Sequence, residues 1–287
     1  MSRPQLAPGV DIVTVHGHAP AVRAPDGEFL RLNASPGATT ELLELLGHAA
    51  AADGGGSDRA QPGEPREVER LLGAFTEAGY LDAPPSWPPD RADVLVLGDE
   101  RLTSPLTEFL SSAGARPRPA TPRDIAVLAD GRASDVAAVV WCLDRPAPPE
   151  LWKDADRLPA HGIAWARCHR EGWHAWVEPI AAAPGDVLAA HVAARRLAAT
   201  PAHRELAAYW AGPAATGPHP VTGAAAAATI AALVTTDLAA WAQGRASRGN
   251  RLPARRRLRR VDLRDLKVTE HCVLPVPPVV STAVRGT

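Results

Sequence analysis

Residues 92–115 read ADVLVLGDERLTSPLTEFLSSAGA. An apolar run, a glycine and an amphipathic stretch closing on Ala-Gly have the rhythm of a buried strand turning into a helix. That frame opens many nucleotide-binding units, in which glycines after the strand let backbone approach a pyrophosphate. Here Gly98 stands alone, and Asp99 and Glu100 put negative charge where a phosphate would lie. Electrostatics argue against a nucleotide at this turn, which reads as one kept for folding.

Working outward, DVAAVVWCLD (135–144) is a second buried strand, and PELWKDADRLPAHG (149–162) has a helical pattern. IAWARCHREGWHAWVEPI (163–180) reads as a hairpin turning near Arg170-Glu171-Gly172. Helices are expected over 186–199, 201–211 and 223–243, and strands over 258–263 and 267–275, with a loose tail after them. Continuous apolar strands alternating with helices predict an α/β domain with parallel pairs.

Before residue 93 the pattern changes. GVDIVTVHG (9–17), APAVRAP (19–25) and GEFLRLN (27–33) are short and alternating, and Pro25-Asp26-Gly27 marks a turn between the last two. Helical spacing then places Leu42, Leu45, Leu46 and Ala49 on one face of 38–50, and Val68, Leu71, Leu72 and Phe75 on one face of 65–81. Between them AAADGGGSDRAQPGEP (50–65) reads as a flexible loop, and DAPPSWPPDRA (82–92) is stiffened by proline. The expected organisation is a winged-helix module over 1–82, a Pro-rich linker over 83–92 and an α/β domain over 93–287.

A formal net charge of −1 in 287 residues supplies no global field for nucleic acid or membrane. The run ARRRLRR (254–260) is the exception, and reads as a solvated loop or a docking surface for an acidic partner. The helix that would enter DNA carries Glu64, Glu67, Glu69 and Glu77 beside only Arg66 and Arg70, which phosphates would repel. Three cysteines without a Cys-x-x-Cys pair fit a reducing compartment. Cys168 and His169 are adjacent on a predicted strand and point to opposite faces, so no metal is expected from them, His174, His271 or Cys272. No G-x-S-x-G elbow or Walker loop is present, and no catalytic residue or cofactor is assigned. Asp144 reads as a turn carboxylate. Met1–Pro8 lacks the apolar segment of a signal peptide, and a cytoplasmic location is expected.

The small module offers a different chemistry. If EFLRLN is an edge strand, its unpaired amides and carbonyls can accept an extended peptide. Phe29, Leu30, Arg31, Leu32 and Asn33 are the candidates for that edge. Arg70, Leu71, Ala74 and Phe75 are the candidates for the groove wall, with Arg70 facing an acidic peptide residue.

The order of these pieces resembles the ThiF-like (ubiquitin-activating-enzyme-like) leader-binding partner proteins of thiopeptide and thiazole/oxazole-modified microcin biosynthesis. The resemblance covers nearly the whole chain. It is carried by LLELLGHAA with EVERLLGAFTEAGYLD, then by ADVLVLGDERLTSPLTEFLSSAGA and AAVVWCLDRP. WHAWVEPIAAAPGDVLAAHVAARRL and VDLRDLKVTEHCVLPVPP stand where relatives carry Cys-x-x-Cys pairs, which this chain lacks. The resemblance implies a non-catalytic pseudo-enzyme whose N-terminal RiPP recognition element binds the leader of a ribosomal precursor peptide. It further implies that a separate YcaO-type cyclodehydratase spends ATP to form azolines from Cys, Ser or Thr. No nucleic acid or membrane partner is implied, and a homodimer is left open. A winged-helix DNA-binding regulator and an active adenylating enzyme are the rival readings.

Overall fold

The computed structural model describes residues 4–15, 18–46, 65–81, 87–132, 135–212, 220–245 and 252–277. They fall into two units, Met1–Ser86 and Trp87–Thr287. The expected loop over 50–64, residues 82–86 of the linker and the tail from 278 lie outside the described residues.

In the first unit, β1 (Asp11–Val13), β2 (Ala21–Arg23) and β3 (Phe29–Arg31) form an antiparallel sheet in the order β1-β2-β3. The β2–β3 turn is closed by Ala24 N–H to Glu28 O and Gly27 N–H to Ala24 O, at 2.8 and 2.9 Å. Asp26 accepts the Glu28 amide at 3.1 Å, the local bonding that makes Asp a turn former. Two helices follow, α1 (Pro36–Leu45) and α2 (Pro65–Glu77). Ser35 caps α1 by accepting the Ala38 amide, and its own hydroxyl and amide donate to Glu67 in the first turn of α2 at 2.6 and 3.1 Å. One serine therefore ties two helix starts together, and its hydrogen bonds hold the Glu67 carboxyl below the usual range. Val22, Leu32, Leu42, Val68, Leu71 and Phe75 build the core.

The second unit is a seven-stranded sheet in the order β10-β9-β8-β7-β6-β4-β5. The strands β4 (Asp93–Gly98), β5 (Arg116–Pro119), β6 (Ala138–Leu143) and β7 (Ala164–Glu171) run parallel. β8 (His174–Val177), β9 (Arg257–Asp262) and β10 (Val268–Cys272) continue antiparallel. One face packs on α3 (Glu100–Ser112) and α7 (Ala224–Ala242). The other packs on α4 (Pro122–Ala129), on short 3-10 turns over 149–161 and on the start of α5 (Ala189–Ala198), with α6 (His203–Ala211) beyond. Trp141 meets Trp152 and Trp165 edge-on within that second core, and Trp152 lies tilted against Trp165, with ring centroids 5.1 to 6.4 Å apart.

Three expectations change. Residues 149–161 form 3-10 turns instead of a helix, with Pro159 inside them. β5 and α4 were not foreseen, because RPRP reads as a breaker and is tolerated only at a sheet margin. Residues 87–92 of the expected linker are packed: Trp87 is buried in the core of the second unit, and Arg91 donates to the last carbonyls of α7, those of Trp241 and Ala242.

Candidate functional site

In the first unit β3 pairs with β2 alone, through Ala21↔Arg31, Val22↔Leu30 and Arg23↔Phe29. Its outer edge has no strand partner among the described residues. Leu30 lies opposite the buried Val22 and so points to the core side of the sheet, yet it is 44% exposed. Phe29, on the other side, is 60% exposed. A strand margin with free donors and two uncovered apolar side chains is suited to receive an extended chain.

The predicted residues divide. Phe29, Leu30 and Arg31 form the exposed β3, and Asn33 just beyond it is exposed. Arg70 and Ala74 are exposed on α2. Leu32, Leu71 and Phe75 are instead buried together in the unit's own core. The helical period explains the correction, since Val68, Leu71 and Phe75 form the stripe that faces the sheet, while Arg70 and Ala74 lie one step round. Arg70 rests 3.5 Å from Glu67 of its own helix.

The β4–α3 turn in the second unit is closed by the chain's own groups. Gly98 adopts φ +125°, and a Cβ there would collide with the Cys142 carbonyl of β6. The glycine thus serves a close approach of backbone to backbone. The Asp99 amide donates to that same carbonyl at 2.9 Å, and its carboxylate accepts the Asp144 amide at 2.7 Å. Asp144 in turn accepts from Arg170 Nε at 2.5 Å and from the Thr222 hydroxyl. Arg170 also donates to the Gly172 carbonyl at 3.1 Å. The carboxylates at the strand ends therefore join β4, β6, β7 and the segment before α7 to one another.

A second polar network lies under α5 and α6. Along β7, Trp165, Arg167, His169 and Glu171 share one face, while Ala166 and Cys168 share the other. Arg167 is fully buried and donates to Glu178 at 2.6 Å and to the Pro179 carbonyl at 3.3 Å. Glu171 accepts a two-pronged contact from Arg196 at 2.8 and 2.6 Å, the Trp210 indole N–H at 2.5 Å and His169 Nε2 at 3.0 Å. Burial works to raise its pKa, but the hydrogen bonds from Arg196 and His169 outweigh it and hold the carboxyl well below its usual range. Sequence reading placed a hairpin turn near Arg170-Glu171-Gly172 and gave these charges no role. The signal that could have found them is the i, i+2 run of Arg, His and Glu on the strand that carries Trp165.

Cys168 lies in the opposite core beside Cys142, whose thiol contact, with burial, pushes the Cys168 thiol up. β8 and β9 separate it from Cys272 on β10, about 14 Å at ordinary strand spacing. No group of three or more metal-ligating side chains occurs among the described residues. Val187, Val192, Leu258 and Val273 form a small apolar core with Trp176 against it. Arg195 donates to the Leu274 and Pro275 carbonyls at 3.3 and 3.2 Å. Apolar packing and one guanidinium join these segments.

The basic run 254–260 is not a free surface. Arg257 and Arg259 turn inward from β9 onto the buried Asp237 of α7, and Arg259 also meets Glu270 at 3.0 Å. The expected strand over 258–263 already overlapped the run, but sequence reading did not follow the alternation that turns Arg257 and Arg259 toward the core. α7 is long and apolar enough to cross a membrane by composition alone, but it packs against the sheet and buries this carboxylate.

No family model matches the chain, and no curated protein matches it in sequence. Solved structures do. The heterocyclase TruD superposes with a TM-score of 0.63 at 16% identity, over 96% of this chain and 42% of that one. A heterocyclase in complex with substrate and cofactor gives 0.60 at 14% identity, over 95% of this chain and 38% of that one. MccB of E. coli gives 0.55 at 9% identity, over 96% and 95%. This chain thus has the fold found in these proteins, and spans about two fifths of the length of the two heterocyclase chains.

Proposed function

We propose that this chain is a non-catalytic recognition subunit in the biosynthesis of azole-modified peptides. Its first unit, a winged-helix recognition element, takes the leader of a ribosomally made precursor as a further strand beside β3. Its second unit is a degenerate ThiF-like scaffold that docks a separate YcaO-type cyclodehydratase, where ATP is used. The observation that carries this reading is β3 itself: an edge strand with Leu30 uncovered on the core side. Arg31, Asn33, Arg70 and Ala74 are the remaining exposed candidates around it. Strand addition supplies affinity through main-chain hydrogen bonds and specificity through alternate side chains.

The Asp99–Asp144–Arg170 network supports the pseudo-enzyme half of the proposal, since anionic side chains and their partners line the turn that would cradle a phosphate. The inward-facing Arg257 and Arg259 weaken the case for a DNA-binding regulator. The test uses the full chain and a labelled leader peptide in fluorescence polarisation. Ala74→Glu is expected to reduce affinity about tenfold to hundredfold with an unchanged circular dichroism melt. Leader affinity unaffected by substitutions at both Leu30 and Ala74 would sink the reading. Calorimetry with Mg-ATP is expected to show no saturable binding, and micromolar binding would restore the adenylating-enzyme alternative.

A further inference from the structure

The polar network under α5 and α6 leaves one gap in its bonding. His169 is 4% exposed and Glu178, which follows β8, is 6% exposed. Oε2 of Glu178 is taken by Arg167 Nε at 2.6 Å. On the imidazole, Nε2 lies 3.0 Å from Glu171, a carboxyl that its surroundings keep ionised, so Nε2 carries a proton. Nδ1 faces Glu178 Oε1 at 3.6 Å, beyond hydrogen-bond reach, and has no other partner among the described residues. Buried polar atoms are seldom left in this way, because each gave up hydrogen bonds to solvent on folding.

His169 and Glu178 also line a small cavity, bordered by Trp152, Val192, Arg196 and Trp210. Its volume is about 10 Å³, roughly the space that one water-sized sphere occupies. Charge narrows the occupant further. Arg167 and Arg196 already balance Glu178 and Glu171 pair by pair, so an added cation would bring a charge without a partner into a buried site. An anion would face the Glu178 carboxylate. A neutral molecule that both donates and accepts meets Oε1 and Nδ1 at once.

We propose that this cavity is an internal water site, in which one water bridges His169 Nδ1 and Glu178 Oε1. The water joins β7 to the segment after β8, where direct contact falls short. It completes an unbroken path of hydrogen bonds through the unit. Trp210 of α6 and Arg196 of α5 donate to Glu171, which holds one nitrogen of His169. The water links the other nitrogen to Glu178, and Arg167 continues from Glu178 to the Val187 carbonyl at 3.4 Å. The inference does not depend on what the first unit binds.

The experiment uses the full chain. A high-resolution crystal structure is expected to show one water about 2.7–3.2 Å from both His169 Nδ1 and Glu178 Oε1. Oxygen-17 relaxation dispersion counts long-lived internal waters in solution. His169→Phe is expected to lower that count by one. His169→Asn keeps a polar group at the place of Nδ1 and is expected to leave the count unchanged, with the circular dichroism spectrum of the natural chain in both variants. An empty cavity, an Nδ1 that closes to direct hydrogen-bond distance of Glu178, or a peak with the anomalous scattering of a metal ion would each overturn the proposal. An unchanged water count in His169→Phe would do the same. Should that variant fail to fold, the crystal structure of the natural chain decides.

Discussion

The outer edge of β3 and the C-terminal ends of β4 and β6 are the two places where a sheet of this kind offers backbone to a ligand, and the chain treats them in opposite ways. At β3 the outward main-chain groups have no strand partner among the described residues, and Leu30 stands uncovered above the core. At the strand ends, the chain's own carboxylates and Arg170 occupy the mouth and bond to one another. The closed region is stiff because each buried polar group there needs its partner. The open one gains its partner only from outside.

The comparison breaks most sharply at Gly98. An added Cβ would strike the Cys142 carbonyl at a positive φ, so Gly98→Ala is expected to cost well over ~4 kcal/mol, the range of exceptional single substitutions. All 8 tryptophans lie beyond residue 86, so their fluorescence follows the second unit alone, and a denaturant titration reads the loss.

Asp237→Ala comes next. It leaves Arg257 and Arg259 turned inward without their carboxylate, and breaking a buried ion pair typically costs ~3–5 kcal/mol. The same titration checks it. If the variant is as stable as the natural chain, the arginines have another route to solvent and the basic run is more available than described.

Glu171, in the separate network under α5 and α6, gives the second unit an acid dependence. Its folded pKa lies below the ordinary 4.5, so the unfolded chain binds the extra proton as pH falls. Its contribution is fully present above that ordinary value and is lost as pH drops toward the folded value. Glu171→Gln is expected to lower stability at neutral pH and to flatten the decline below about pH 4.5, read by tryptophan fluorescence across a pH series.

Leu30→Glu probes the open region. It should remove about 1–3 kcal/mol of leader affinity while changing stability by no more than about 0.5 kcal/mol, as for an exposed site. A large loss of stability instead would mean that Leu30 belongs to the core and that the edge is not free. The smallest effect is expected from Ser35→Ala, about 1 kcal/mol for a lost helix cap, seen as faster amide exchange in the first turn of α1.

Much of this architecture was legible in the chain. Period and punctuation placed the three short strands, β4, β6, the β7–β8 hairpin and the long α7, because each element there is specified by its own side chains. The β3 edge was legible too, from its length and flanking turn. Leu71 and Phe75 were misassigned because helical spacing names a stripe without saying whether a sheet or a ligand covers it. β5 was missed because proline forbids a central strand, and only its place at a margin makes it permissible.

Local propensity and hydrophobic period act over a few residues, and so the sequence by itself determined where most strands and helices lie and that two carboxylates follow Gly98 at the β4–α3 turn. Charges and open edges have no such local signature. Arg167, Arg257 and Arg259 are inward because partners as many as 22 residues away complete them, and Asp99 finds its donor 45 residues along the chain. Among the described residues, no further strand lies beside β3 or β10. Those facts depend on which distant groups share a space, and the tertiary structure alone decided them.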